Sequence, residues 1–237
     1  MHYLPLGWPF FVALWLLFAV LVALVEIGIL GYVFEALGVS RRYMLLLLVC
    51  SLLGSYVNIP VARLPPEYVR SGEVVDVFGV RYMVPVVKQW PGTVLAVNLG
   101  GAVIPVILSI YLILKHREFF QSLLAIGIVT LVVHLMARPV PGVGIVVPIF
   151  IPPLITAMVA VSLSRWHAPA LAYIAGSTGT LLGADVLNLD KLHGMGAPVA
   201  SIGGAGKFDG IFLTGVVAML LAGILGGRPH HHRPVDW

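Results

Sequence analysis

Residues 119–136 read FFQSLLAIGIVTLVVHLM. The stretch carries no Asp, Glu, Lys or Arg and is long enough to span a bilayer. A hydrocarbon core of roughly 30 Å takes about 20 helical residues to cross. Nothing in it alternates with period two, so it reads as a transmembrane helix. Similar runs recur outward from it in both directions. They predict helices over Phe10–Ala36, Tyr43–Ile59, Thr93–Leu114, Phe119–Met136, Ile145–Ser164, Ala168–Leu189 and Gly210–Leu225.

Composition supports the same class. Of 237 residues, 59% are hydrophobic and only 10% are charged, against about 25% charged in an ordinary soluble domain. The expectation is an all-α, polytopic integral membrane bundle of about seven helices, forming a single transmembrane domain over residues 1–237. The net charge of +4 does not point to nucleic acid, because the basic residues come in ones and twos between apolar runs rather than as a stripe. Cys50, the single cysteine, excludes a disulfide framework within the chain and reads as a small buried hydrophobe. The first run follows no basic leader and is too long for a signal-peptide core, so it reads as a retained span. Short loops bearing Arg41, Arg42, Lys115, Arg117 and Arg165 place the N-terminus outside. The expected location is the prokaryotic inner membrane.

Two segments depart from simple spans. ARPVPGVGIVVPIFIPPL, residues 137–154, contains Pro139, Pro141, Pro148, Pro152 and Pro153. Proline withholds a backbone donor and breaks regular helix, so the fifth run is either a broken or re-entrant segment or a kinked span. Residues 60–92 form the one sizeable polar connection. Within it, EVVDVFGVRYMVPVV centres on Phe78-Gly79 and predicts a β-hairpin outside the membrane, read as a cap over helix ends in preference to a binding loop. The 227–237 tail holds three adjacent histidines. Such tracts attract transition metals, but no second cluster completes a defined site; no cofactor is implied, and a metal is left open.

Ionisable groups inside spans are costly and mark candidate sites. Glu26 interrupts the first run, and His134 reads as a satisfied core histidine. Asn58 and Asn98 read as structural hydrogen-bonding groups, with Gly100-Gly101 permitting close backbone approach. The densest candidate is GADVLNLDKLHGMGAPVASIGGAGKFDG, residues 183–210, which puts Asp185, Asp190 and Asp209 among glycines between two apolar runs. Upstream, Gly176, Gly179 and Gly183 suit tight helix packing. Asp185 and Asn188, three residues apart, are expected on one helix face. No P-loop or dinucleotide fingerprint is present.

Three readings stand for the acids. Asp209 caps the last helix while Asp185 pairs with Arg138 or Lys207. Alternatively, Asp185 and Asp209 form a catalytic dyad, one carboxylate activating water while the other donates a proton. In the third, the acids, Asn188 and freed carbonyls coordinate a cation or proton for transport.

GSYVNIP, AVNLGGAVIPV, RPVPGVGI, GADVLNL and SIGGAGKFDGIFLTG resemble an uncharacterised prokaryotic family of multi-pass membrane proteins, classed as a domain of unknown function. The resemblance implies a single membrane domain and carries no activity to transfer. A fainter likeness is to intramembrane aspartyl proteases of the presenilin and prepilin-peptidase types. Their Gly-x-Gly-Asp motif is not met, because Lys207 and Phe208 separate Gly206 from Asp209. The presenilin type's Pro-Ala-Leu motif comes after both acids, whereas Pro169-Ala170-Leu171 here precedes them. The reading adopted is a di-aspartate intramembrane hydrolase with Asp185 and Asp209 catalytic and Asn188, Gly204, Gly206 and Arg138 binding substrate. A cation- or proton-coupled transporter and a non-catalytic subunit of a membrane complex are the alternatives. The expected partners are the lipid bilayer and a small ion or peptide substrate.

Overall fold

The computed structural model describes residues 12, 15, 16, 19, 37, 41–77, 80–140, 144–193, 195–204 and 210–226. The predicted first helix lies largely outside these residues, as do Glu26, the tail, Gly206 and Asp209. The described chain is mostly helical with small sheets.

The stretch 119–136 is a helix over its whole predicted length. We label the elements α1 (Arg41–Gly54), β1 (Asn58–Arg63), β2 (Glu67–Val77), β3 (Val80–Trp90), β4 (Val94–Asn98), α2 (Ile104–His116) and α3 (Phe119–Met136). They are followed by β5 (Arg138–Val140), β6 (Gly144–Val146), α4 (Ile151–Leu163), α5 (Ala168–Ile174), β7 (Val199–Ile202) and α6 (Gly210–Gly226). α5 continues through two π turns, Ala175–Gly179 and Leu181–Asp185, into a 3-10 turn, Val186–Leu192. Among the described residues three helical segments are long and apolar enough to cross a membrane: Leu99–His116, Phe119–Met136 and Ala168–Leu192. α4 and α6 are apolar but shorter; the 13 residues of α4 rise only about 20 Å.

Three predicted helices change at their ends, each for a local reason. The second stops at Gly54 rather than Ile59. Beyond it Val57, Ile59 and Val61 are β-branched, and Pro60 pushes Ile59 towards extended backbone, so β1 forms instead. The third begins at Leu99 rather than Thr93, in a π turn, Leu99–Val103, that runs into α2, because Val94–Asn98 is held as a strand between two others. The fifth is broken, as one of its two readings required. Residues 138–140 pair with residues 144–146 as β5 and β6, and helix resumes only where Pro152 and Pro153 fall in the first turn of α4, where proline costs no hydrogen bond.

β1, β4 and β7 form one sheet in the order β1-β4-β7. β1 runs antiparallel to β4 and pairs Asn58 with Asn98, while β7 runs parallel to β4. The predicted hairpin is present and longer than expected. β2 pairs with β3 from Glu67↔Trp90 to Val77↔Val80, and each strand extends about 36 Å. At its base Glu67 lies 3.7 Å from His193.

α5 is the central element, with all seven of its residues buried. Around it the core is built from small side chains, including Ala157, Ala160, Ala172, Ala175, Ala218 and Ala222. A Cβ added at Gly176 would stand 3.0 Å from the Gly215 Cα of α6, and one at Gly179 2.9 Å from the Val129 Cβ of α3. A second cluster buries larger side chains, among them Leu112, Ile174 and Met219, while Phe120, Leu123 and Leu135 of α3 face outward, each more than 70% exposed. Small residues at the closest helix contacts and large apolar residues on the outer face of α3 suit helices that pack by close approach in lipid. Cys50, expected inside, belongs to the outer set and is exposed on α1.

Candidate functional site

A cavity of about 330 Å³ lies where the far end of the α5 segment meets the sheet. Thr180, Ala184 and Asp185 of that segment, Ile211 and Thr214 of α6, β6, β7 and Gly204 all line it. Most of the wall is apolar, and Asp185 is its one acidic residue among the described residues.

The second π turn places Asp185. The Val186 N–H bonds back to the Leu181 carbonyl, five residues earlier, so residues five apart come into line. In a regular α-helix Thr180 and Asp185 would diverge by about 140°; here both face the cavity. Asp185 Oδ2 accepts the Gly203 N–H at 2.7 Å. Gly203 has φ +91°, and a Cβ on it would fall 2.6 Å from the Ala102 Cβ. Only glycine brings that N–H to the carboxylate without strain. Thr180 is buried and its Oγ1 has no hydrogen-bond partner.

The other predicted site residues separate into distinct places. Asn188, expected beside Asp185 on one face, is parted from it because the chain kinks at Asn188 (φ −118°, ψ 16°). Its Nδ2 donates to the Gly183 and Ala184 carbonyls at 2.8 and 3.0 Å, and its Oδ1 accepts from Lys191 Nζ at 2.6 Å. It is fully buried and closes the helix end. Arg138 is exposed on β5, is not part of the cavity wall and does not pair with Asp185. Gly204 and Gly210 both line the cavity; the residues between them, including Gly206 and Asp209, lie outside those described. His134 departs from the satisfied core role, because its Nδ1 is buried without a partner.

Asn98 is the structural group anticipated: it caps the π turn Leu99–Val103 that leads into α2 and ties it to the turn after α1 and to β1. Fully buried, it donates to the Ser55 carbonyl at 2.7 Å and to Asn58 Oδ1 at 3.0 Å, and accepts the Gly101 N–H at 2.8 Å. Ser201 of β7 donates to the same Asn58 oxygen at 2.6 Å. Gly100 sits against the Ser51 carbonyl and Ser55 N–H with no room for a Cβ, and Ser51 Oγ donates to the Gly100 carbonyl. This network fixes the sheet that forms one cavity wall.

A second polar cluster lies at the opposite end of the α5 segment, about 25 Å of helix from Asp185. Glu118 Oε1 accepts from His167 Nδ1 at 2.8 Å and from Ser164 Oγ at 3.0 Å. The His116 ring packs 4.7 Å from that of His167. Sequence reading missed this cluster because its members come from two separate interhelical turns. Among the described residues no group of three His, Cys, Asp or Glu side chains could hold a metal ion.

Residues 52–221 match the family described as protein of unknown function (DUF1614). The chain belongs to that family. No curated protein and no solved structure matches it. The DUF1614 match includes Arg138, Asp185, Asn188, Gly204, Gly206 and Asp209, and leaves out Glu26 and the histidine tail. The DUF1614 region thus contains the whole cavity and all three segments long enough to cross a bilayer, which is consistent with a membrane protein.

Proposed function

We propose that this protein is an intramembrane hydrolase in which Asp185 is the working carboxylate and Asp209 the second acid. The observation that carries the reading is Asp185 itself, the one acidic residue on the wall of an apolar cavity among the described residues, at the end of a membrane-length helix. Gly204 and Gly210 on the same wall flank the segment that holds Asp209. The chemistry is amide hydrolysis. Asp185 takes a proton from water as the water oxygen bonds to the carbonyl carbon, and Asp209 gives its proton to the carbonyl oxygen. When the tetrahedral diol collapses, the C–N bond breaks. The leaving nitrogen takes the proton held by Asp185, and a diol proton returns to Asp209. One water is consumed, and both carboxyl groups end as they began. Asn188 acts on this reading as a positioning residue for the helix end. The whole chain would form one domain of about seven crossings in a prokaryotic inner membrane.

The test is hydrolysis of a fluorescence-quenched apolar peptide by the full chain in lipid vesicles. Asp185→Asn and Asp209→Asn should each lower the rate about 100-fold or more, the range for loss of a general acid or base. Wild-type rates in both variants would refute the dyad.

A second reading, proton- or cation-coupled transport, is favoured by one observation. Thr130 and His134 of α3 and Thr178 and Thr180 of the α5 segment each bury a polar atom without a partner. Buried polar groups without partners are costly, and water or an ion between these two helices would satisfy them. Proton uptake into vesicles that survives Asp209→Asn but fails in Asp185→Asn would select this reading over hydrolysis.

A further inference from the structure

The cavity at Asp185 opens on the edge of a strand rather than on its face. All four residues of β7 line it, as do all three of β6. Side chains alternate across a strand, so a cavity lying against one face would touch every second residue only. β7 is the end strand of its sheet, with β4 on one side. Val94 N–H donates to the Pro198 carbonyl at 3.1 Å, and β7 pairs in parallel from Val94↔Val199 onward. In a parallel ladder successive residues turn their amide groups to opposite sides. Pro198, Ala200 and Ile202 therefore serve β4, while Val199 and Ser201 turn theirs outward. The Ser201 carbonyl is taken by the Gly204 N–H at 3.3 Å. Among the described residues that leaves the Val199 N–H and C=O and the Ser201 N–H on the open edge. The next residue in the same alternation, Gly203, gives its N–H to Asp185. The free edge of β7 thus leads to the carboxylate.

We infer that the occupant of this cavity is an extended, apolar, uncharged peptide that adds as a strand to the outer edge of β7, with its backbone reaching Asp185. Donors and acceptors at strand spacing on an apolar wall are matched by partners at the same spacing. A peptide backbone supplies them and a lipid chain does not. Natural edge strands are blunted by lysine, proline or bulges, whereas β7 reads VASI. The cavity wall carries no Lys or Arg among the described residues, so the paired stretch of the ligand brings no acidic side chain. The four residues of β7 limit that stretch to about four residues, roughly 13 Å. Strand addition gives affinity through the main chain and selectivity through alternate side chains. The inference rests on the hydrolase reading only for the cleavage step, and binding stands apart from it.

The experiment measures binding to the full chain in nanodiscs. The probe is a ten-residue peptide of alternating Ala and Leu with a terminal fluorophore, prepared unmodified and with N-methyl groups on either alternate set of amides. A slip by one residue would exchange Ala for Leu in the walls, so register is fixed. One methylated set should bind like the unmodified peptide and the other about threefold to tenfold more weakly, since it loses the hydrogen bond donated to the Val199 carbonyl, the acceptor on the open edge. Val199→Pro, which removes an outward donor, should weaken binding about threefold to tenfold relative to Val199→Ala. Equal binding of both methylated sets and the unmodified peptide would overturn strand addition and leave apolar burial as the binding mode. Edge-dependent binding with no acid-dependent cleavage refutes the hydrolase and upholds the docking mode; acid-dependent cleavage with methylation-insensitive binding does the reverse.

Discussion

Replacing Gly183 with alanine tests whether backbone contact between the α5 segment and α3 holds the core together. The new Cβ would stand 2.5 Å from the Thr130 carbonyl oxygen, 3.0 Å from the Val133 Cβ and 3.1 Å from the His134 nitrogen. Ordinary contact begins near 3.4 Å, so the helices must part by about 0.9 Å. Overpacking of this kind costs about 1–3 kcal/mol, while alanine in place of glycine returns about 1 kcal/mol of helix propensity. Gly127 on α3 supplies the control, because a Cβ there meets nothing within 4 Å and gains the propensity alone. Gly183→Ala should therefore be less stable than Gly127→Ala by about 2 kcal/mol. For a chain of this size that is a gap of roughly 4–8 °C in Tm. Thermal unfolding of both variants in the same nanodiscs reads the difference directly. Equal melting temperatures would refute the reasoning, since propensity is common to both and only the Thr130 contact separates them.

Two more outcomes rest on the same kind of contact. Asn98→Ala strands the Ser55 carbonyl and the Gly101 N–H in a fully buried site; it should cost about 3 kcal/mol, measured by SDS titration, and Asn98→Ser should recover part of that. Gly203→Ala combines a positive φ with a Cβ 2.6 Å from that of Ala102. It should lower stability by about 2 kcal/mol or more and slow hydrolysis as well, because the donor to Asp185 moves; an unchanged rate with lowered stability would separate that N–H from the chemistry.

Hydropathy made the long helices legible and hid the strands. Phe119–Met136 shows its limits in sequence because a glutamate precedes it and Arg138-Pro139 comes just after it. Val94–Asn98 carries no such boundary. It is apolar and runs without a break into Leu99–His116, and hydrophobicity reports burial rather than backbone conformation. Its only local cue is the β-branched pair Val94 and Val97, and what makes it a strand is its pairing with residues 58–63 and 199–202. β7 is hidden for the opposite reason, as four residues in a glycine-rich connection where no period can be counted. At the site, Asp185 stands out because a carboxylate in an apolar run is costly. Its acceptor role towards Gly203, 18 residues on, depends on a loop closure with no sequence signature. Asn188 looks like its companion by spacing, and the π turn that ends at Asp185 and the kink at Asn188 change the helical phase in a way that spacing counts cannot register.

That change of phase has a consequence for how this helix tolerates insertion and deletion. A bilayer is sensitive to the length of a span, and about 24 residues would cross it as well as the 25 of Ala168–Leu192. The cavity is sensitive to rotation instead. Removing one residue from Leu181–Ala184 would let the turn relax to ordinary α-helix, and the acid, then four residues after Thr180, would stand within about 40° of it. Such a shortened chain should still insert, pack Gly176 and Gly179 as before and keep its acid turned towards the edge of β7. The π turn thus absorbs a single deletion, whereas the same deletion in the regular helix of α5 would turn Asp185 by about 100°.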